Sequence, residues 1–187
     1  PALANRASVR DYVLMPHIAK AQEKLRSLMN RCRDGELSCD EFRQAMGPVI
    51  VAAVSCNRFS AWLHRDTGRL HCLDRVSLCD PRGDAGWTSL DSTDHPGYFS
   101  ALHRTGVITA HDAMSHPALE SLREGYLVPL DIRSLLDVAF SINGKRCGLL
   151  CCENRGEPVR WSSSDIAFVR WAGAQTALFV ADMREAE

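Results

Sequence analysis

Apolar residues recur at helical spacing over the first part of the chain. Between residues 17 and 32 they are Ile18, Ala21, Leu25, Leu28, Met29 and Cys32. A period of three or four residues predicts an amphipathic helix that buries one stripe. A second helix is expected after Ser38, because Ser38 and Glu41 have the spacing of a capping box. Gly47-Pro48 predicts a kink or a restart in that helix, since proline lacks the N–H that a helix interior uses.

The pattern then changes to that of short strands. Residues 56–64 and 69–78 flank the turn sequence RDTGR and predict a hairpin. The remaining expected elements are a Gly-, Asp- and Ser-rich loop at 80–94, a short helix at 95–104, a strand at GVITA, and a helix from about Pro117. The chain closes with a helix over 162–183, whose start is marked by Ser162 and Asp165.

Before that last helix, two apolar runs are joined by Asn143-Gly144, a strong signal for a two-residue β-turn. A regular hairpin places on one face Leu135, Asp137, Ala139, Gly148, Leu150 and Cys152. The other face then carries Ser134, Leu136, Val138, Phe140, Cys147, Leu149, Cys151 and Glu153. A bulge near the turn would exchange the faces. Asp137 lies on the roomier face, where it either accepts backbone N–H bonds from a crossing loop or meets a ligand.

The order of these elements predicts an α+β fold. Adjacent strands joined by tight turns imply a central antiparallel sheet of about five or six strands. The N- and C-terminal helices are expected on one face of the sheet. The chain divides into an N-terminal arm (1–16), an N-terminal helix (17–36), and a main domain (37–187) that includes the helix at 162–183.

Composition excludes some classes of function without selecting one. The 187 residues carry a net charge of -1, so no basic surface for nucleic acid or acidic membranes is indicated. No apolar run is long enough to span a bilayer, and the first residues lack a secretory signal pattern. A cytoplasmic location is therefore expected.

The cysteines and histidines form no recognisable chemical motif. The eight cysteines include no C-x-x-C pair, and several lie in strand-like runs, so reduced structural thiols are expected. His64 and His71 could meet across a hairpin, but a structural zinc site takes four ligands. No nucleophile elbow, phosphate-binding loop or metalloprotease motif is present. The sequence therefore predicts neither catalytic residues nor a metal site.

Several motifs taken in order resemble the closing pattern of bacterial GAF domains, the small-molecule sensory module of signalling proteins. They are IRSLLDVAF at 132–140, GLLCCEN at 148–154, Arg160-Trp161, Asp165 and Phe168. Upstream, residues 40–70 resemble that family's first helix and hairpin, and HDAMSHPALESLREGYL resembles its helical segment over the pocket. The resemblance covers about residues 37–184. Ala139 stands where the family usually has proline, and Asn154 where it often has histidine, so no ligand is carried over.

The resemblance implies that the terminal helices pack on one face of the sheet, while short helices and loops cover a cavity on the other. The expected ligand-binding residues are Ser60, Trp62, Tyr98, His103, His111, Met114, Asp137 and Cys152. The implied function is to bind an unidentified small molecule, without catalysis, and to pass its signal to the terminal helices. The implied partners are a second copy of the chain, bound through these helices, and an output domain, histidine kinase or cyclase. No cofactor is identified.

Two alternatives stay open. One is a cysteine-based redox enzyme or redox sensor on the same fold, and the other is a GAF domain that only dimerises. The glycine-rich cysteine segments of GAF-fold methionine sulfoxide reductases have no counterpart, and the N-K-x-D-E pattern of cyclic-nucleotide GAF domains is absent. Covalent bilin attachment would need a cysteine beside the pocket helices, and residues 80–146 contain none.

Overall fold

The computed structural model describes residues 16–66, 68–78 and 86–185. Its helices are α1 (Pro16–Arg33), α2 (Cys39–Val54), α3 (Pro96–Thr105) and α4 (Ser163–Glu185). Its strands are β1 (Arg58–Asp66), β2 (Arg69–Ser77), β3 (Ser89–Asp91), β4 (Val107–Ala110), β5 (Ile132–Ile142) and β6 (Lys145–Arg155). Two short helical turns, Pro117–Leu122 and Arg123–Leu127, form the helical segment 117–127. Most of the predicted arm at 1–16, and residues 80–85 of the predicted loop, lie outside the described residues.

The six strands form one antiparallel sheet in the order β3-β2-β1-β6-β5-β4. The β5–β6 hairpin is central and contributes the longest strands. This arrangement confirms the predicted α+β fold with an antiparallel sheet.

Helices α1, α2 and α4 pack on one face of the sheet. The residues of α1 that are buried are those of the predicted stripe, and they join the same core as Phe59, Leu136 and Val138 of the strands. The predicted capping box is formed: the Ser38 N–H donates to Glu41 Oε2 over 2.8 Å, and the Glu41 N–H donates to Ser38 Oγ over 3.2 Å. Helix α2 continues through Pro48 instead of restarting there.

The opposite face of the sheet is covered by α3, the helical segment 117–127 and the residues around β3. These elements form a second buried cluster with the strands, in which Tyr98, Leu119 and Leu127 pack over Leu135 and Leu149. The side of the sheet away from the terminal helices is therefore roofed by short elements.

One extra residue in β6 changes which side chains share a face. Ile142 pairs with Lys145 as expected, but Phe140 pairs with Gly148, so that Cys147 has no partner of its own. Beyond this bulge Asp137 opposes Cys151 and Leu135 opposes Glu153, where the regular register predicted Leu150 and Cys152. The faces predicted for the β6 residues beyond the bulge are therefore wrong, whereas the alternation predicted along β5 holds over residues 134–140.

Two local predictions also differ from the structure. The loop predicted at 80–94 contains the three-residue edge strand β3, which is too short to give a periodic pattern. The helix predicted from Pro117 is not an α-helix but a 3-10 turn followed by a π turn. Gly125 lies within the π turn, where its missing side chain leaves room for the ring of Trp87.

No helix among the described residues has the length and apolar character needed to cross a membrane.

Gly148 is predicted to be intolerant of any side chain. A Cβ there would lie 2.3 Å from the carbonyl oxygen of Trp62 and 2.4 Å from the ring of Phe140. Because one of these atoms is backbone, the strands would have to separate, and we expect Gly148→Ala to cost about 3 kcal/mol in the free energy of unfolding. Denaturant titration measures it.

Gly173→Ala is the matched control. It lies within α4, where a Cβ would meet Phe140 at an ordinary 3.5 Å. Replacing glycine by alanine in a helix interior is expected to stabilise the protein by up to about 1 kcal/mol. Equal losses for the two substitutions would contradict the close packing of β1 on β6 at Gly148.

Candidate ligand cavity

A cavity lies between the sheet and the short elements that roof it. Its volume, which includes open solvent, is about 310 Å³, but the enclosed interior has room for only about one water molecule. Four aromatic side chains line it, Trp62, Trp87, Tyr98 and Tyr126, together with Leu90, Leu122, Leu135 and Leu149. The other lining residues are Asp137, Cys151 and Glu153, whose side chains lie on the floor. An aromatic enclosure with a few convergent polar groups is typical of small-molecule sites.

The floor is built from rows of directly paired residues that cross three strands. Arg58 opposes Glu153, and Ser60 opposes Cys151, which in turn opposes Asp137. Directly opposed residues point to the same side of a sheet, so these five side chains share one polar strip. The bulge at Cys147 is what brings the two β6 residues to this side.

The side chains of Arg58 and Glu153 form a buried ion pair, with exposed fractions of 0% and 1%. Arg58 Nη1 also donates to the hydroxyl of Tyr126 over 2.7 Å, and that hydroxyl donates to Glu153 Oε1 over 2.9 Å. The guanidinium also lies 5.4 Å from the centre of the Tyr126 ring. Each charge is thus offset by the other and by hydrogen bonds, which a buried ion pair requires.

Asp137 is the second buried carboxyl group on the floor, with 1% of its surface exposed. Its Oδ2 accepts a hydrogen bond from the Tyr98 hydroxyl over 2.5 Å. Its Oδ1 receives no N–H or O–H donor from the described residues. The thiol of Cys151, a weak donor, is its neighbour on the paired strand. Of the two interpretations of Asp137, acceptance of backbone N–H bonds is therefore wrong.

Burial controls the proton of Asp137. Loss of hydration raises the pKa of this carboxyl to about 6, against the lowering effects of Tyr98, Cys151 and Arg58. Burial also raises the pKa of the hydroxyls of Tyr98 and Tyr126, so that both stay protonated and can donate hydrogen bonds. Asp137 is therefore a group on the floor that changes charge near neutral pH.

Two tryptophans close the cavity from different sides. Trp62 is buried, and its indole N–H donates to Ser60 Oγ over 2.9 Å. Trp87 is half-buried at the mouth, 5.3 Å from the ring of Tyr126 and stacked on His95 at 5.0 Å. Arg75 Nη2 donates to the carbonyl oxygen of Trp87 over 2.7 Å and so fixes the segment that carries it.

The expected site residues divide into two groups. Trp62, Tyr98 and Asp137 line the cavity, and Ser60 lies directly behind Trp62. Cys152 instead joins the core under the terminal helices, because the bulge turns it to the opposite face.

The other expected residues are placed away from the lining. His103 is exposed, and its ring Nδ1 lies 2.9 Å from Arg146 Nη1. His111 is also exposed, and its Nδ1 accepts the backbone N–H of Trp161 over 3.1 Å. Met114 is half-buried and packs at the edge of the cavity-side cluster without reaching the cavity. Their expected positions over the cavity are therefore wrong.

Several residues of the site were missed in the sequence. Arg58 alternates with Ser60 and Trp62 along β1, and this spacing could have indicated it. Glu153 and Cys151 were assigned to the opposite face because nothing in the sequence marks the bulge. Trp87 and Tyr126 lie in irregular segments, whose sequences have no regular spacing of apolar residues from which a buried face could be predicted.

The buried thiols lack the features of reactive cysteines. Burial raises the pKa of Cys151 well above its ordinary value, and it also raises that of Cys72. A hydrogen bond with Cys56, followed by burial, raises the pKa of Cys152. A thiol that is protonated at neutral pH is a poor nucleophile, so Cys151 and Cys152 are suited to packing rather than to catalysis.

Among the described residues, no group of three or more His, Cys, Asp or Glu side chains is placed to hold a metal ion.

A wider groove lies on the other face of the sheet, between α2 and α4. Its volume, which includes open solvent, is about 940 Å³, and its walls include Phe42, Met46 and Phe179. It is mainly apolar, and its two charged side chains, Asp40 and Arg43, pair with each other at the rim. The cavity on the opposite face is the better ligand site, because its polar groups are buried and converge.

We predict that the Arg58–Glu153 pair stabilises the fold only as a unit. Glu153→Gln removes the buried carboxylate that pairs with the guanidinium of Arg58, and we expect a loss of about 3 to 5 kcal/mol in the free energy of unfolding. Replacing Arg58 by Met, Glu153 by Leu and Tyr126 by Phe together removes every member of the network, and this triple variant should regain most of that loss.

Glu36→Gln is the control, because Glu36 pairs with Arg31 while 64% of its side chain is exposed. It should change the stability by less than about 1 kcal/mol. A similar cost for both Gln variants in denaturant titrations would contradict the buried pair.

Asp137→Asn is predicted to change how stability depends on pH. The folded-state pKa of about 6 lies above the ordinary value of 3.8, so between these values the folded protein holds a proton that the unfolded chain has lost. Stability conferred by Asp137 therefore falls as pH rises through this window, and the full cost is about 3 kcal/mol above it. Asn does not titrate. The stability of the variant relative to the parent should thus rise by about this amount from pH 4 to pH 7, and a constant difference in denaturant titrations would contradict the assignment.

Comparison with solved structures places this architecture among known domains. The phycocyanobilin-bound GAF domain of a cyanobacterial phytochrome has a TM-score of 0.71 and 15% identity, covering 87% of this chain and 94% of that one. The free methionine-R-sulfoxide reductase of Neisseria meningitidis has a TM-score of 0.69 and 15% identity, and the match covers 92% of this chain and 95% of that one. A GAF domain/HD domain protein of Geobacter sulfurreducens has a TM-score of 0.63 and 16% identity, and the match covers 80% of this chain and 96% of that one. At these identities the likeness establishes the fold alone, and that fold is shared by sensors and by an enzyme.

No curated protein matches the chain in sequence. The sequence profile of the GAF domain matches residues 40–180, which is most of the chain. With the antiparallel sheet, the helix layer and the roofed cavity, this match shows that the chain belongs to the GAF domain family.

Proposed function

We propose that this GAF domain is a sensory module that binds a small molecule in the cavity and passes the occupied state to its terminal helices. The observation that carries the proposal is the buried polar floor, above all the carboxyl of Asp137, one oxygen of which has no N–H or O–H donor. A buried acceptor left in this way is costly, and a ligand that donates to it would recover the cost.

The route from cavity to helices is short. Along β5, Asp137 faces the cavity, whereas its neighbours Leu136 and Val138 belong to the core under the terminal helices. A ligand that shifts β5 therefore changes the surface on which α4 packs. Such coupling requires the ligand to prefer one helix arrangement, with typical differences of about 1 to 3 kcal/mol.

The domain is proposed to act as a cytoplasmic dimer linked to an output module, such as a histidine kinase or a cyclase. Helix α4 carries an exposed Leu178, 60% of whose surface is accessible, as a contact for a second copy. The solved structure from Geobacter sulfurreducens is described as a GAF domain/HD domain protein, which gives one precedent for a linked output domain.

Sedimentation equilibrium tests the dimer. At tens of micromolar we expect the mass of two chains, and Leu178→Asp should shift the equilibrium toward the monomer, because it places a charge in an apolar contact. A monomer at every concentration would remove this part of the proposal.

Ligand retention tests the sensory role. Native mass spectrometry of the protein purified from cells should show a bound small molecule that denaturation releases. Trp87→Ala removes an aromatic wall at the mouth of the cavity and is expected to lower the occupied fraction at least tenfold.

Trp171→Ala is the matched control, because Trp171 lies on α4 and packs with the helix-side core. It should leave the occupancy unchanged. An empty cavity in protein from several growth conditions would favour the alternative of a domain that only dimerises. Equal losses in both variants would mean that the molecule binds outside the cavity.

A further inference from the structure

Among the described residues, the charged side chains that line the cavity are all acidic. Among the described residues that line it, Asp137 and Glu153 carry carboxyl groups, and there is no lysine, arginine or histidine. Arg58 lies behind the floor, where it is bound to Glu153 and to the hydroxyl of Tyr126. The guanidinium therefore neutralises Glu153, and Asp137 adds a further negative charge when it ionises.

The cavity offers little to an anion and much to a cation. The Tyr98 hydroxyl donates to Asp137, and the Tyr126 hydroxyl donates to Glu153, so neither donor is directed toward a ligand. The indole N–H of Trp62 is likewise taken by Ser60. The interior is walled by the rings of four aromatic residues, and the Asp137 Oδ1, which has no N–H or O–H donor among the described residues, lies buried beside them.

Aromatic rings carry negative charge on their faces and attract cations, most strongly where water is excluded. An ammonium group beside Asp137 would supply the missing donor or counter-charge, and the surrounding rings would accommodate its alkyl substituents. Anions and neutral acceptors would leave the carboxylate uncompensated.

Resting on the proposed sensory function, we propose that the ligand is a compact organic ammonium ion, held between the Asp137 carboxylate and the aromatic walls. The enclosed interior has room for about one water molecule, so the aromatic walls must move apart to admit even a small head group, such as a primary or methylated ammonium. Binding then requires Asp137 to be ionised, so the domain takes up the cation and loses the carboxyl proton together.

The pH dependence follows from the groups that face Asp137. They are Tyr98 from α3, Cys151 and Glu153 from β6, Arg58 from β1 and Tyr126 from the helical segment 117–127. The tyrosines and the thiol stay protonated, and Arg58 and Glu153 are bound to each other as an ion pair. Affinity for the cation should therefore fall at least threefold as pH is lowered from 7.5 to 5.5, through the titration of Asp137 itself.

Isothermal titration calorimetry on the dialysed protein tests the inference with matched probes. Choline is compared with 3,3-dimethylbutan-1-ol, its neutral isostere, and with 3,3-dimethylbutanoate, an anion with the same branched head. n-Butylammonium is compared with butan-1-ol. At pH 7.5 we expect at least one of the cations to bind at least tenfold more tightly than its neutral partner, and the anion to bind most weakly.

Asp137→Asn keeps the side-chain volume, removes the charge and should abolish this preference. Asp74→Asn is the matched control: it makes the same change at a half-buried carboxyl group on β2, outside the lining residues. It should leave the preference intact. Circular dichroism verifies that both variants are folded.

The outcomes separate the two proposals. If neither cation exceeds its neutral partner, or if Asp137→Asn keeps the preference, the ammonium inference is overturned. A neutral or anionic molecule that is retained from cells and lost in Trp87→Ala also overturns it, while the sensory function stands. A protein that retains nothing and binds none of the probes overturns both.

Discussion

The extra residue at Cys147 is the constraint on which the site depends. It shifts β6 by one position against β5, and every side chain beyond it changes face. Glu153 thereby opposes Arg58 on the cavity side, and Cys151 lies between Ser60 and Asp137. Without the bulge, Glu153 would lie on the opposite face from Arg58, and their buried ion pair could not form. Gly148, next to the bulge, lets β6 approach the backbone of β1 closely enough to hold this register.

The polar floor contains a group of charges that pair with one another and a carboxyl group that is only partly paired. Arg58, Glu153 and Tyr126 satisfy one another, so this group holds β1, β6 and the helical segment 117–127 together at little net cost. Asp137 is satisfied on one side only, and burial raises its pKa to about 6. An incompletely satisfied group inside an otherwise complete network is a common mark of a binding site.

Alternate residues of β5 point to opposite faces of the sheet, so one strand contributes both to the cavity and to the core under the terminal helices. Residues of β5 that face the roof contact the cavity, and those between them support α4. A small displacement of one strand is therefore felt on both sides, because a close-packed core transmits strain. This arrangement makes a GAF domain suited to regulation even where its cavity is narrow.

The sequence by itself determined the elements whose patterns are local. The stripe of α1, the capping box at Ser38 and the Asn143-Gly144 turn were predicted correctly, because helix periods, caps and tight turns depend on neighbouring residues. The alternation along β1 and β5 likewise placed Trp62 and Asp137 on the cavity face. What only the tertiary structure decided was the facing of β6 and the pairing of Arg58 with Glu153. The tertiary structure also decided which segments cover the cavity, including those that carry Trp87 and Tyr126. It placed His103 and His111 at the surface and Cys152 in the core under the terminal helices. A bulge is selected by how two strands and their covering layers fit together, and irregular segments take their shape from what they cover, so neither leaves a period in the chain.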